Sequence, residues 1–231
     1  MTDSDKFDSF YADRYSSVCV SAQNGLAAKL LHQSLEVGHS KKHYSKVLEV
    51  GGNKGEHIPH VKHTFDKYVL TDLRKIDEGE IKALFPGRPV EFKIADCQEL
   101  LFESESFDRV IATCLFHHLS DPEAAFRELR RVAKLSRGGV IDILIPTDPG
   151  MMYRIARQLT SLRKARSLGL YEEIQLTHAR EHRNHYGALL KLLGHVFAEE
   201  SVSIRNYPFM IKSWNLNLFS AIRIQAKSDK G

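Results

Sequence analysis

The chain has 231 residues, 42% of them hydrophobic and 27% charged, an ordinary composition for a folded domain with a sizeable core. Its net charge of +4, from 33 Lys+Arg against 29 Asp+Glu, is too small an excess to signal nucleic acid as a partner. The cysteines Cys19, Cys97 and Cys114 are too scattered for a zinc ribbon or a disulfide framework, and no apolar run approaches the ~20 residues of a membrane span.

In chain order, the opening "MTDSDKFDSF" is polar and acidic and lacks the apolar region of a signal peptide, so a cytoplasmic setting is expected. Residues 1–46 read as helices, with a 3.6-period stripe at Leu26, Leu30, Leu31 and Leu35. "KVLEVGG" (46–52) is an apolar run stopped by glycines, read as a buried strand. "KGEHIPHVKHTF" is read as a short helix. Strands follow at "KYVLTDL" (67–73), "VEFKIADC" (90–97) and "FDRVIATC" (107–114). "SDPEAAFRELRRVAKLSRGG" gives the clearest helix, capped by Ser120 or Asp121, with Pro122 in its first turn and Gly138 and Gly139 ending it. Its stripe is Phe126, Leu129, Val132 and Ala133, and Arg127, Arg130, Arg131 and Lys134 read as a solvated face. "GVIDILIP" (139–146) is a fifth strand, residues 151–197 read as helices, and 200–206 and 216–226 as two closing strands.

Strands alternating with helices imply right-handed crossovers and a parallel sheet covered on both faces. Such sheets bind ligands beyond the carboxyl ends of their strands, which singles out Gly51 to Gly55, Asp72, Asp96 and Cys97, and Thr113 onward. In "LEVGGNKGEH" the glycines fall at 51, 52 and 55, which does not fit the GxGxxG of dinucleotide binders. A carboxylate at Asp72 can accept both hydroxyls of a ribose, a device nicotinamide enzymes share. Asp96 followed by the Cys97 backbone N–H can read the amino edge of an adenine.

These residues carry a resemblance. "VLEVGGNKG", "VLTDL" and the run from "IADCQELLF" to "RVAKLSRGG" resemble class I S-adenosylmethionine-dependent methyltransferases of the small-molecule type, over about residues 47–148. The resemblance implies a Rossmann-like, doubly wound, mostly parallel seven-stranded sheet with an antiparallel final strand and helices on both faces. The chain then divides into an N-terminal helical lid (1–46), a cofactor-binding core (47–148), a helical acceptor-side insertion (149–199) and final strands (200–231). The implied cofactor is S-adenosyl-L-methionine. Glu49 would help hold its methionine amino group, and Gly51 and Gly55 would line the methionine and adenosine side. Asp72 would bind the ribose, and Asp96 with Cys97 the adenine. Thr113 would sit near the sulfonium, and His118 would orient the loop after the fourth strand. Asn53 stands where the family has its middle glycine; asparagine tolerates left-handed backbone better than most residues. An N-terminal helix often closes such sites, and "FYADRYSS" could bring Tyr11, Arg14 and Tyr15 inward.

The acceptor should be read by residues 1–45 and 147–215. "MMYRIARQLTSLRKARSLG" offers Arg154, Arg157, Arg163, Lys164 and Arg166, which could hold an anionic acceptor, contact a membrane surface, or simply face water. "EHRNHY" resembles a stretch of methyltransferases tied to surface polysaccharide or lipid pathways, a likeness that carries no weight by itself. The leading expectation is O-methylation of a small-molecule acceptor, anionic or sugar- or lipid-linked. A quinone-type C-methyltransferase and a non-catalytic S-adenosylmethionine-binding protein are the alternatives. If residues 177–197 form one helix, His178, Glu181, His182 and His185 share a face at i, i+3, i+4 and i+7. That face is open to metal ligation, acceptor binding with a general base, or packing. The expected catalytic set is His182 or His185 as base with Glu181 orienting it, and the resemblance calls for no metal.

Overall fold

The computed structural model describes residues 26–227. Tyr11, Arg14, Tyr15 and most of the expected lid lie outside them. Seven strands form one sheet: β1 (His43–Val50), β2 (Thr64–Asp72), β3 (Val90–Ile94), β4 (Arg109–Thr113), β5 (Val140–Pro146), β6 (Glu200–Tyr207) and β7 (Phe219–Ala226). Their order is β3-β2-β1-β4-β5-β7-β6. The first five run parallel, and β7 runs antiparallel to both β5 and β6. This is the Rossmann-like methyltransferase fold that the resemblance implied.

The helices are α1 (Leu26–Leu35), α2 (Glu78–Leu84), α3 (Pro122–Val132), α4 (Met151–Leu159), α5 (Ser161–Ser167), α6 (Tyr171–Glu181) and α7 (Tyr186–Val196). Side chains alternate across the sheet, as strand geometry requires. Leu48, Val50, Val110, Ala112, Ile141, Ile143, Ile222 and Ile224 face the core shared with α3 and α7. Val47, Ile111, Val140, Leu144 and Ala221 face the opposite core with Leu35 of α1 and Ile81 of α2. Helices α5 and α6 add a small cluster of their own, Leu162, Ala165 and Ile174.

Three expectations change. First, β1 begins at His43, inside the stretch read as helical, because His43 to Lys46 already pair alongside Thr64 to Lys67 of β2. Second, the helix read around Pro59 is a single 3-10 turn, Ile58–His60. Third, residues 177–197 are two helices, not one. The backbone N–H groups of Arg183 and Asn184 leave the helical ladder and donate to the His117 carbonyl, at 2.9 and 3.3 Å, and that of Tyr186 donates to the Asp148 carbonyl at 3.0 Å. The Asn184 amide donates to the Phe116 and Leu119 carbonyls at 3.1 and 2.7 Å. These tertiary bonds outweigh the local 3.6 periodicity. His178, Glu181, His182 and His185 therefore share no continuous helix face. The 151–166 stretch likewise breaks, at Thr160.

Under the amino ends of β4 and β5 lies a buried ionic network. Arg109 is 0% exposed. It donates to Glu36 Oε1 at 2.7 Å, to Asp142 Oδ2 at 2.8 Å and to the Leu35 carbonyl at 3.1 Å. Burial alone would raise the Glu36 carboxyl. The His57 hydrogen bond and the Arg109 charge outweigh it and hold that group well below the usual carboxylate range. Asp142 is held low in the same way by Arg109 and His39.

Candidate active site

The carboxyl ends of β1 to β4 carry every residue singled out as cofactor-binding. After β1 the chain turns through three left-handed residues, Gly51 (φ 61°), Asn53 (φ 46°) and Gly55 (φ 79°). Asn53 thus adopts the conformation that the glycine it replaces would supply. A Cβ on Gly52 would stand 2.3 Å from Leu70 Cδ1 and 2.8 Å from Glu49 Cδ, so only glycine lets the turn pass there. A Cβ on Gly51 would come within 2.6 Å of Leu115 Cδ1, so the loop after β4 lies directly on this turn.

Glu49 is buried beneath the turn, where its Oε2 accepts the Tyr68 hydroxyl at 2.6 Å. Burial pushes its carboxyl up to about 8. Asp72 ends β2. Its Oδ2 accepts the Asn53 N–H at 3.0 Å, while its Oδ1 accepts the backbone N–H and Nε of Arg74 at 3.0 and 3.2 Å. The Arg74 side chain is 56% exposed, so it can yield to a ligand. Asp96 Oδ1 accepts the Gln98 N–H at 2.9 Å, and Gln98 Oε1 accepts the Asp121 N–H at 2.7 Å, which ties the loop after β3 to the start of α3. Cys97 is buried, and burial pushes its thiol up to about 12, so it is no thiolate nucleophile. Thr113 closes β4, paired with Leu144. Strand-end carboxylates, a glycine turn that a Cβ would block and an adjacent Asp-Cys backbone are donors and acceptors of the kind a ribose and an adenine take, and they fit S-adenosylmethionine.

Next to this site, four imidazoles and a carboxylate converge. Asp148 follows β5, His117 and His118 follow β4, and His178 and His182 come from the end of α6. His182 Nδ1 stands 2.8 Å from Asp148 Oδ2, and His178 Nε2 reaches the same oxygen at 3.0 Å with its ring out of hydrogen-bond alignment. Ring centroids lie 3.7 Å apart for His178 and His182, 4.4 Å for His117 and His182, and 3.9 Å for His117 and His118. His118 Nδ1 lies 3.2 Å from the Glu181 carbonyl oxygen. Burial favours the neutral imidazole at His117, and at His118 lowers the pKa to about 4. Burial also lowers that of His182, with Asp148 partly opposing it. Burial alone would raise the Asp148 carboxyl, but the His178 and His182 imidazoles hold it below its ordinary range.

Of the expected catalytic residues, only His182 brings its side chain into this cluster. The carboxylate facing it is Asp148, not Glu181, whose backbone carbonyl faces His118. His185 is exposed at the start of α7. Asp148 and His117 went unread in the sequence, although "PTDPG" directly follows a strand, where ligand-facing groups are expected.

The family described as methyltransferase domain matches residues 48–141. Residues 48–141 carry a methyltransferase domain. The fold is also similar to a chain from the complex of the Haloferax volcanii Trm112 methyltransferase activator, with TM-score 0.63, 12% identity, and coverage of 96% of this chain and 98% of that one. It is similar to the CurJ carbon methyltransferase, with TM-score 0.61, 16% identity, and coverage of 89% and 56%. An S-adenosylmethionine-dependent methyltransferase from Thermotoga maritima matches with TM-score 0.56, 17% identity, and coverage of 87% and 89%. A search of curated protein sequences gives no match. Among the described residues, no helix is long and apolar enough to cross a membrane.

Proposed function

We propose that this methyltransferase acts on a hydroxyl group of a small-molecule acceptor, with His182 as the general base and Asp148 as the group that orients it. The observation that carries this reading is the 2.8 Å contact between His182 Nδ1 and Asp148 Oδ2, packed against His117 of the loop after β4, which meets the glycine turn through Leu115. A proton on Nδ1, donated to Asp148, fixes the tautomer whose Nε2 lone pair is free to accept a proton. The buried ring stays neutral at physiological pH, the form a base requires.

S-adenosylmethionine supplies an electrophilic methyl group. The chain's own residues do the rest. Asp72 accepts the ribose hydroxyls, Asp96 and the Cys97 N–H read the adenine, and Gly51 and Gly55 let the backbone approach. Glu49 and Thr113 line the methionine end. His182 takes the acceptor's proton as the oxygen attacks. Arg154 and Arg163 are exposed on α4 and α5, and α4 buries none of its residues, which supports an anionic acceptor or a lipid-linked one met at a membrane surface. The likeness to a carbon methyltransferase keeps a second reading, transfer to carbon, which would not need the same base.

The test is a mass-spectrometric screen of hydroxylated, anionic small molecules for a gain of one methyl group. With an acceptor in hand, His182→Gln should lower kcat by about 100-fold. Asp72→Ala should weaken cofactor binding by about 1–3 kcal/mol in calorimetry. An unchanged kcat in His182→Gln would remove the base from this account, and a methyl group found on carbon would favour the second reading.

A further inference from the structure

The histidine cluster holds more ligating groups than a general base needs. Among the described residues, two groups have donor atoms within 4.8 Å of one another: Asp148, His178 and His182, and His117, His118 and His182. In the first, two ring nitrogens approach a single carboxylate oxygen at 2.8 and 3.0 Å. One of them, His178 Nε2, is buried without a hydrogen-bond partner. A buried nitrogen that faces a carboxylate and forms no hydrogen bond leaves its polar capacity unused, which is costly unless something else takes it up. His117 Nδ1, at the other side of the cluster, is also buried and unpartnered.

We propose that Asp148, His178 and His182 bind a divalent transition-metal ion of the zinc type. Two imidazoles and one carboxylate are a donor set that zinc accepts with a fourth position open, whereas magnesium and calcium take oxygen. Ligands about 2.1 Å from a tetrahedral ion stand about 3.4 Å apart, so each imidazole nitrogen needs to draw back from the Asp148 oxygen by only about half an ångström. The side chains of His178 and Asp148 are 19% and 13% exposed, which leaves a path for the ion.

The site has a consequence for the base, and in this it rests on the function proposed above. Coordination through His182 Nδ1 puts the ring proton on Nε2, the opposite tautomer from the one that accepts a proton. Ion binding and general-base action therefore exclude each other at His182, and the ion would hold the transferase in a state without its base.

The test needs neither methyl donor nor acceptor. Chelator-dialysed protein is titrated with cobalt(II), followed by its visible absorption, and with zinc by calorimetry. The parent should take up one ion per chain with a tetrahedral cobalt spectrum. His178→Gln and Asp148→Asn should each lose on the order of tenfold or more in affinity. His185→Gln, outside the cluster, should bind as the parent does. Circular dichroism identifies any variant that fails to fold, and the other then carries the test. No saturable binding by the parent overturns the proposal, as does undiminished binding by folded His178→Gln or a loss confined to His185→Gln. Cofactor affinity, measured on the same samples, fails only if the methyltransferase reading fails.

Discussion

Replacing Arg109 by methionine should be among the most destabilising single changes in the molecule. The substitution keeps most of the side-chain length and removes the charge, leaving Glu36 and Asp142 buried without the guanidinium that joins them. Removing one partner of a buried ion pair costs about 3–5 kcal/mol. Neither carboxylate is wholly abandoned. Glu36 keeps the Lys62 N–H at 2.9 Å and the His57 ring at 2.9 Å, and Asp142 keeps Arg223 Nε at 2.7 Å. The expected loss is therefore near 3 kcal/mol. At about 2–4 °C per kcal/mol for a chain of this size, the melting temperature should fall by roughly 6–12 °C. Differential scanning calorimetry measures this directly. Adding Glu36→Gln and Asp142→Asn to Arg109→Met should recover part of the loss, because the uncompensated charges go with them. A single Arg109→Met that melts within about 2 °C of the parent would refute the reasoning, as would a triple variant less stable than the single one.

Acid should weaken the fold in two stages. Burial holds His32 neutral, with a pKa lowered to about 3 beside His57 and His60, and His63 neutral, lowered to about 4 beside Arg109. Their contribution is fully present above the unfolded value near 6.5 and falls as pH drops below it. Glu36 and Asp142 are depressed, so theirs is lost only below about 4. Urea midpoints should fall steadily from pH 7 through pH 5 to pH 4, and a flat profile down to pH 5 would contradict the histidine assignment. Gly52→Ala should cost about 1–3 kcal/mol of stability and cofactor affinity together, since its Cβ would stand 2.3 Å from the buried Leu70 side chain; a parent-like melt would show that the turn can give way. Arg163→Glu combined with Arg166→Glu should raise the acceptor KM several-fold and leave cofactor affinity alone, and an unchanged KM would leave these side chains as a solvated face.

The proposed cofactor half of the site could be read because its residues end strands or lie just beyond them, and strands announce themselves as short apolar runs between turn residues. Asp72 and Asp96 could be placed by counting from those runs. The acceptor half was only partly legible. The sequence marked the histidines, but it placed them on one helix, and the break between α6 and α7 depends on bonds to His117 and Asp148 from distant parts of the chain. Local periodicity carries no record of such bonds. Asp148 was invisible for the same reason, since its partners lie far along the chain in α6. The Arg109 network was equally hidden. An arginine at the head of a strand reads as polar and exposed until Glu36 and Asp142 are known to close around it. Arg130 and Arg131, read as a solvated face, instead pair with Glu200 at 2.7 Å and with Glu128 and the Leu100 and Phe102 carbonyls.

The two ends of the segment running from α4 to α6 meet where His182 contacts Asp148. Residues 149–181 therefore leave the sheet and return to it at one point, like a loop of cord tied at its base, and they carry a small apolar cluster of their own. Loop-closure entropy grows only slowly with length, so a segment clasped in this way can be lengthened, shortened or exchanged at modest cost to the sheet beneath it. Under the proposed function, substrate range in this architecture can thus diverge by graft, with a new segment set into an unchanged sheet. The requirement on each graft would be small: it must deliver a group to meet the carboxylate after β5.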